Sequence, residues 1–383
     1  VYRRSAELVL QGQDFYNVEA WLPFIYPPFA VLLSIPFALL GIIGSQVVWL
    51  IANGLMVMAL VYRLGFKDWR LSIISTAAIL LIEPMRRTLG FGQVNIFLMC
   101  LVAFDLLPGP RVLGSRRRLL PEGWLTGIAT AIKLTPAIFA VYLFLVGRVK
   151  SAIVAFISFL AVTVIGWVVL PGPSATFWGR LIAGDSGLNP GLKYYTNQSI
   201  IGSYIRFTGE NPDKIPLGGI VLAALVCVIG VGAAVLWHRL GHVSLAVCIT
   251  AVTALLASPI SWSHHFVWIL PLALVLMTDV KLPDFLRFSG LVFSVWVMYA
   301  PFMQFPDTAV PGAPGDELQY TLSQKLIDAG SVILGLLFFA VAICFALAER
   351  RRQGLPWLPL TLREHEVAPG TQTPPASTGT TAD

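Results

Sequence analysis

A lysine stands in the middle of an otherwise apolar stretch, Ala131-Ile132-Lys133-Leu134-Thr135-Pro136. A cation at the centre of a membrane-spanning segment costs about 2.5–3.5 kcal/mol on insertion scales. Such a residue either meets an anion, for instance a lipid phosphate, or lifts its charge to the interface along its methylene stem. Arg86-Arg87 suits a phosphate through forked donors, or forms a solvated pair beside Glu83. Gln93 and Asn95 open an apolar run, where they bind a polar group or cap a helix end. His264-His265 closes the stretch Ser258-Pro259-Ile260-Ser261-Trp262-Ser263. The pair can hydrogen-bond to a phosphate or hydroxyl, or be satisfied by backbone. Neighbouring histidines do not share a helix face and no third ligand is evident, so zinc is not indicated. No cofactor is called for, and no ligand set points to a divalent metal. Tyr26-Pro27-Pro28 reads mainly as a stiff entry into the membrane. Asn197-Gln198-Ser199 fits a glycosylation sequon, a triplet common by chance.

Carboxylates are the gap in this inventory. Transfer of a group to a hydroxyl needs a general base, and Glu7, Asp14, Glu19, Asp185, Glu210 and Asp213 are isolated residues that read as solvated surface. Asp105 falls at the opposite end of its span from the other polar features. No phosphate loop, nucleotide-sugar motif or Ser/His/Asp arrangement appears.

The elements that must position these groups follow from composition. Of 383 residues, 56% are hydrophobic and only 12% charged, with a mean hydropathy of +0.77. So few charges cannot cover a soluble globule, and the chain reads as an all-α, polytopic membrane protein of about ten transmembrane helices. The apolar stretches are 45–64, 70–84, 91–107, 122–147, 151–170, 216–237, 243–257, 264–279, 284–303 and 328–348, long enough to span a bilayer. The shorter run 29–43 carries Pro36 and is expected not to cross fully. One set of loops holds 16 Lys and Arg residues, from Arg63 to Arg363, against 9 on the other side, which makes the richer set cytoplasmic. That assignment requires 122–147 to enter and leave on one face, as two short helices meeting near Lys133, because proline breaks a helix there. The polar features then gather on the outer side, where a head group such as a sugar or phosphate would bind. The four cysteines lie in apolar runs as small hydrophobes. The net charge of +6 belongs to topology, and nucleic acid is not a partner. Residues 351–383, rich in Pro, Thr and Ser, read as a disordered cytoplasmic tail.

Four motifs occur in order: Phe24-Ile25-Tyr26-Pro27-Pro28-Phe29-Ala30, Gly92-Gln93-Val94-Asn95, Ala131 to Pro136, and Ser258 to His265. Together they resemble glycosyltransferase family 87, a GT-C-type family of actinobacterial membrane enzymes that includes polyprenyl-phosphomannose-dependent α-1,2-mannosyltransferases. The resemblance runs from residue 1 to about 350, taken as one transmembrane domain. It implies a bundle of about a dozen helices when complete, in the plasma membrane, with its site facing outside and its C-terminus cytoplasmic. Mannose would pass with inversion from a polyprenyl phosphate to a hydroxyl of a glycolipid or lipoglycan acceptor in the surrounding lipid. Lys133, Arg86 and Arg87 are then expected to hold the carrier phosphate. His264 and His265 would help position it, and Tyr26, Gln93, Asn95 and Asn197 would shape the sugar pocket. The family's general base is an aspartate in the first outer loop. Val1-Tyr2 resembles the end of that stretch, which places the aspartate and a first helix just upstream and leaves the chain as given inactive alone. Competing readings are an arabinofuranosyltransferase with a pentose donor, a transporter or flippase of lipid-linked sugar, and a non-catalytic membrane partner. One broken segment without an internal repeat disfavours transport.

Overall fold

The computed structural model describes residues 1–17, 24–110, 118–183, 191–212, 214–306 and 316–356. In chain order the helices are α1 (Tyr2–Leu10), α2 (Pro28–Leu32), α3 (Ile35–Ala38), α4 (Ile42–Arg63), α5 (Asp68–Leu81), α6 (Glu83–Gly90), α7 (Asn95–Leu106), α8 (Trp124–Ile132) and α9 (Ala137–Leu145). They continue as α10 (Val149–Val169), α11 (Pro171–Ile182), α12 (Ile200–Thr208), α13 (Leu217–Arg239), α14 (Val243–Ala257), α15 (Ile269–Thr278), α16 (Asp284–Tyr299), α17 (Leu322–Asp328) and α18 (Gly330–Arg352). A 3-10 turn, Ser263–Trp268, leads into α15. The described residues contain no strand beyond an isolated antiparallel bridge between Asn197 and Trp262. The chain is an all-α, polytopic membrane protein.

Among the described residues, five stretches of 21–23 residues are long and apolar enough to cross a membrane: Ile42–Arg63, Val149–Val169, Leu217–Arg239, Asp284–Gln304 and Gly330–Arg352. At 1.5 Å per residue they reach about 32–35 Å, the thickness of a hydrocarbon core. The other apolar stretches are helical but shorter, because breakers interrupt them. Ile82 is extended before Pro84, and the turn between α6 and α7 carries Gly92 at φ +62°, which bends that pair by 119°. Run 122–147 divides into α8 and α9 at Lys133, as its proline predicts. Run 29–43 forms only the five residues of α2 and the four of α3, too few to span. The segments expected as loops contain α1, α11, α12 and α17. Local capping explains two of these. Ser199 accepts from Gly202 N at the start of α12, whose end is Gly209 in the left-handed region. Thr321 and Gln324 form a reciprocal capping box at the start of α17.

The segment that carries Lys133 is fixed from two sides. Gly123 and Gly127 are spaced so that α8 lies directly on α10; a Cβ on Gly127 would stand 2.3 Å from the Ala155 carbonyl oxygen, so only glycine permits this approach. Asp105, in the last turn of α7, caps α8. Its Oδ2 accepts from Thr126 N at 2.9 Å and Thr126 Oγ1 at 2.7 Å, and both oxygens accept from Gly123 N at 3.0 Å. The isolated acid of the sequence is therefore a helix cap, donated by a neighbouring helix to the positive end of α8.

Candidate functional site

Lys133 leaves α8 in an extended conformation, φ −150° and ψ 130°, which turns its side chain off the helix axis. Its Nζ donates to Asn95 Oδ1 at 3.2 Å and lies 3.2 Å from His265 Nε2. The Tyr26 ring centroid is 5.5 Å away, within cation–π range. Among the described residues, no carboxylate lies within ion-pair distance of this ammonium. Asn95 is the joint of the cluster, because its Nδ2 donates to the His264 carbonyl at 3.0 Å. Thr88 Oγ1 donates to the same carbonyl at 2.6 Å. Gln93, two residues before α7, accepts at Oε1 from Tyr26 OH at 2.9 Å and from Tyr2 OH at 3.0 Å. The Tyr16 hydroxyl donates to the Tyr26 carbonyl at 2.6 Å and holds the tyrosine-proline turn from behind.

Beside this polar cluster a cleft with about 50 Å³ of room runs between α7, α9, α14 and the segment that includes the 3-10 turn Ser263–Trp268. That admits a few water-sized groups. Asn95, Lys133, Ser261 and His265 form its polar end, and Leu98, Met99, Phe139 and Leu255 its apolar wall. The combination suits a ligand with one charged end and one greasy end.

The two histidine rings meet edge-on, 4.6 Å between centroids, but their partners diverge. His265 faces Lys133, whereas His264 is buried between Trp262, at 5.6 Å, and Phe91, at 5.2 Å between ring centroids. Its Nε2 has no hydrogen-bond partner among the described residues. The arginines diverge too, since successive residues of a helix point about 100° apart. Arg86 is exposed. Arg87 pairs with Glu83 at 3.2 Å and lies over the Phe91 ring at 5.5 Å. Far from being solvated, Glu83 is buried and accepts from Ser263 Oγ at 2.9 Å.

Asn197 does not join the cluster around Lys133. It is fully buried, and its amide is committed to backbone: Nδ2 donates to Leu192 O and Pro259 O, and Oδ1 accepts from Ser261 N at 2.9 Å. It clamps the 258–263 segment that leads to the histidines. Behind it lies a buried charge network in which Lys193 meets Asp316 at 2.6 Å and Glu317 at 3.5 Å, and Arg206 pairs with Asp328. Burial pushes the Asp328 carboxyl up to about 6 and raises Glu317 as well. Sequence reasoning missed Tyr2 and Thr88 and gave Glu83 no role of its own; a lone hydroxyl or acid beside arginines gives no periodic signal of burial. Glu19, Asp185, Asp213 and residues 357–383 of the tail lie outside the described residues. Among the described residues, no group of three or more His, Cys, Asp or Glu side chains is arranged to hold a metal ion.

Comparison with known proteins relates the sequence to a family. The chain is 30% identical over 312 residues to the polyprenol-phosphate-mannose-dependent alpha-(1-2)-phosphatidylinositol mannoside mannosyltransferase of Mycobacterium tuberculosis, covering 72% of this chain and 69% of that protein. The protein of the same name from Mycolicibacterium smegmatis is also 30% identical over 312 residues, with 72% and 68% covered. A Mycobacterium tuberculosis polyprenol-phosphate-mannose-dependent alpha-(1-2)-phosphatidylinositol pentamannoside mannosyltransferase is 33% identical over 273 residues, or 67% of this chain and 58% of that one. No solved structure matches the chain. The sequence profile of glycosyltransferase family 87 matches residues 24–259, which include the Tyr26 turn, the α6–α7 elbow and Lys133. With more than half of its length matched in this way, and with relatives at this identity, the chain belongs to glycosyltransferase family 87.

Proposed function

We propose that the protein is a membrane hexosyltransferase that moves mannose from a polyprenyl phosphate carrier to a hydroxyl of a phosphatidylinositol mannoside or lipomannan-type acceptor, with inversion. The observation that carries this reading is the unpaired cation. Lys133 faces an amide oxygen, an imidazole nitrogen and an aromatic face, with no carboxylate beside it among the described residues. A donor phosphate supplies the missing anion, and the apolar wall of the cleft takes the first part of the lipid. The relatives' names supply the sugar and the acceptor class. They speak for mannose over a pentose and for transfer over flipping.

In the reaction the acceptor oxygen attacks the anomeric carbon, the bond from that carbon to the phosphate oxygen breaks, and polyprenyl phosphate departs with the electron pair. Negative charge grows on the departing phosphate, and a fixed ammonium in a water-poor cleft stabilises it more than water would. Asn95 and His265 keep that ammonium in place, and the exposed Arg86 is available to an incoming lipid phosphate at the rim. The hydroxyl proton goes to a general base, the role a carboxylate fills in such transfers. The loop charges put this end of the bundle outside the cell and the C-terminus in the cytoplasm.

The test is transfer of radiolabelled mannose from polyprenyl phosphate to phosphatidylinositol mannoside by membranes holding the full-length protein. A labelled glycolipid is expected. Movement of the lipid-linked sugar without a new glycosidic product, or transfer of arabinose in preference to mannose, would overturn the reading.

A further inference from the structure

Glu83 is a buried carboxylate that the reaction above does not use. It opens α6 at 5% exposure. Its Oε1 accepts from Ser263 Oγ at 2.9 Å and lies 3.2 Å from Arg87 Nε as an ion pair. Its Oε2 is buried without a hydrogen-bond partner among the described residues. A buried ion pair with one oxygen left over is a poor device for stability, since apolar residues of the same size do as well or better. Its position suggests another use.

The α6–α7 elbow holds three successive residues of the histidine segment. Glu83 takes the Ser263 side chain, Thr88 and Asn95 take the His264 carbonyl, and Lys133, itself held by Asn95, takes the His265 ring. The segment needs such ties. It is a 3-10 turn without a side-chain cap, and Phe266 inside it departs from helical geometry at ψ 28°. His264 Nε2 makes no hydrogen bond among the described residues, so backbone and ring packing set its direction. Glu83 bears on both. It holds the Ser263 side chain, beside the Ser263 N–H that donates to the Thr196 carbonyl, and it pairs with Arg87, which lies over Phe91, whose ring meets His264 edge-on.

Resting on the mannosyltransferase reading, we propose that Glu83 is a positioning residue that acts through Ser263 to hold His264 and His265 in register with Lys133. The experiment is a double-mutant cycle on the full-length protein in native membranes, with kcat and donor KM measured separately. Ser263→Ala and Glu83→Ala are each expected to lower kcat about 10²-fold, the scale of a displacement near 1 Å, with donor KM unchanged. The double variant should be no slower than either single one, because both remove the same tie. Glu83→Gln, whose amide oxygen still accepts from Ser263, should recover most of the turnover. If Glu83→Ala does not fold, Ser263→Ala and Glu83→Gln decide the matter. A Ser263→Ala protein with wild-type kcat, or losses that multiply in the double variant, would overturn the role of Glu83 alone. Absence of mannose transfer by the wild-type protein would instead reject the functional reading.

Discussion

The ammonium of Lys133 and Nε2 of His265 stand 3.2 Å apart across 132 positions of sequence. A charged lysine can only donate, so Nε2 accepts and the imidazole proton sits on Nδ1. The pair thus presents one positive charge, not two, to the cleft. A second contact fixes it, since Asn95 bonds Lys133 with one end of its amide and the His264 carbonyl with the other. A phosphate arriving here meets a cation already oriented by neutral groups, with no carboxylate to displace among the described residues.

Replacing that cation should separate function from stability. In Lys133→Met the apolar stem is kept and the charge removed. Mannose transfer is expected to fall about 10²–10³-fold, the scale for losing one charge-stabilising group. The fold should hold or gain, because a lysine at membrane depth costs about 2.5–3.5 kcal/mol. Turnover and thermal unfolding of the purified protein, measured side by side, check both halves.

Asn95→Asp probes the joint. The new carboxylate still accepts from Lys133, yet it loses the donor to the His264 carbonyl and supplies an internal counter-ion. It should compete with the donor phosphate. The donor KM is expected to rise on the order of tenfold, equivalent to about 1.4 kcal/mol, with acceptor KM much less affected. Equal increases in both constants would mean a general loosening of the site.

These features were unequally legible in the sequence. A lysine among apolar residues, followed by proline, announces both a break and a buried charge, and the structure has both at Lys133. Helix-opening amides were visible in the same way at Gln93 and Asn95. What the sequence could not show is which of two neighbours faces inward. Arg86 and Arg87 read as a pair, but successive residues of a helix point about 100° apart; His264 and His265 do stay together, 4.6 Å between ring centroids, yet meet different partners. Nor could it show partners remote in sequence. Asn197 spends its amide on backbone 62 and 64 positions away, and Glu83 finds Ser263 180 positions away. Burial of a polar group depends on such contacts, and local pattern does not encode them.

Asp105 should behave as a structural residue. Asp105→Ala leaves Gly123 N and Thr126 N without their acceptor at the start of α8. Loss of a helix cap costs about 0.5–2 kcal/mol. The unfolding temperature is expected to drop accordingly, while kcat per folded molecule stays near wild type. A variant of normal stability with lost turnover would place Asp105 in the chemistry instead.

The network behind Asn197 should respond to pH. It sets the cations Lys193 and Arg206 against three carboxylates, Asp316, Glu317 and Asp328, so one negative charge is in excess. Burial raises the Asp328 carboxyl from its ordinary 3.8 to about 6, so the folded state holds this proton more tightly than the unfolded chain does. By linkage, its stabilising contribution is complete below about 3.8 and is lost as pH rises through about 6. Glu317, also raised by burial, acts with the same sign. Amide hydrogen exchange in α12, corrected for the intrinsic rate, should therefore show protection falling across that window. Asp328→Asn stays neutral at every pH. It leaves Arg206 without its counter-ion, so protection is lower throughout, but the slope with pH should shrink to the part owed to Glu317. A slope equal to that of the wild-type protein would show that Asp328 does not hold the shared proton.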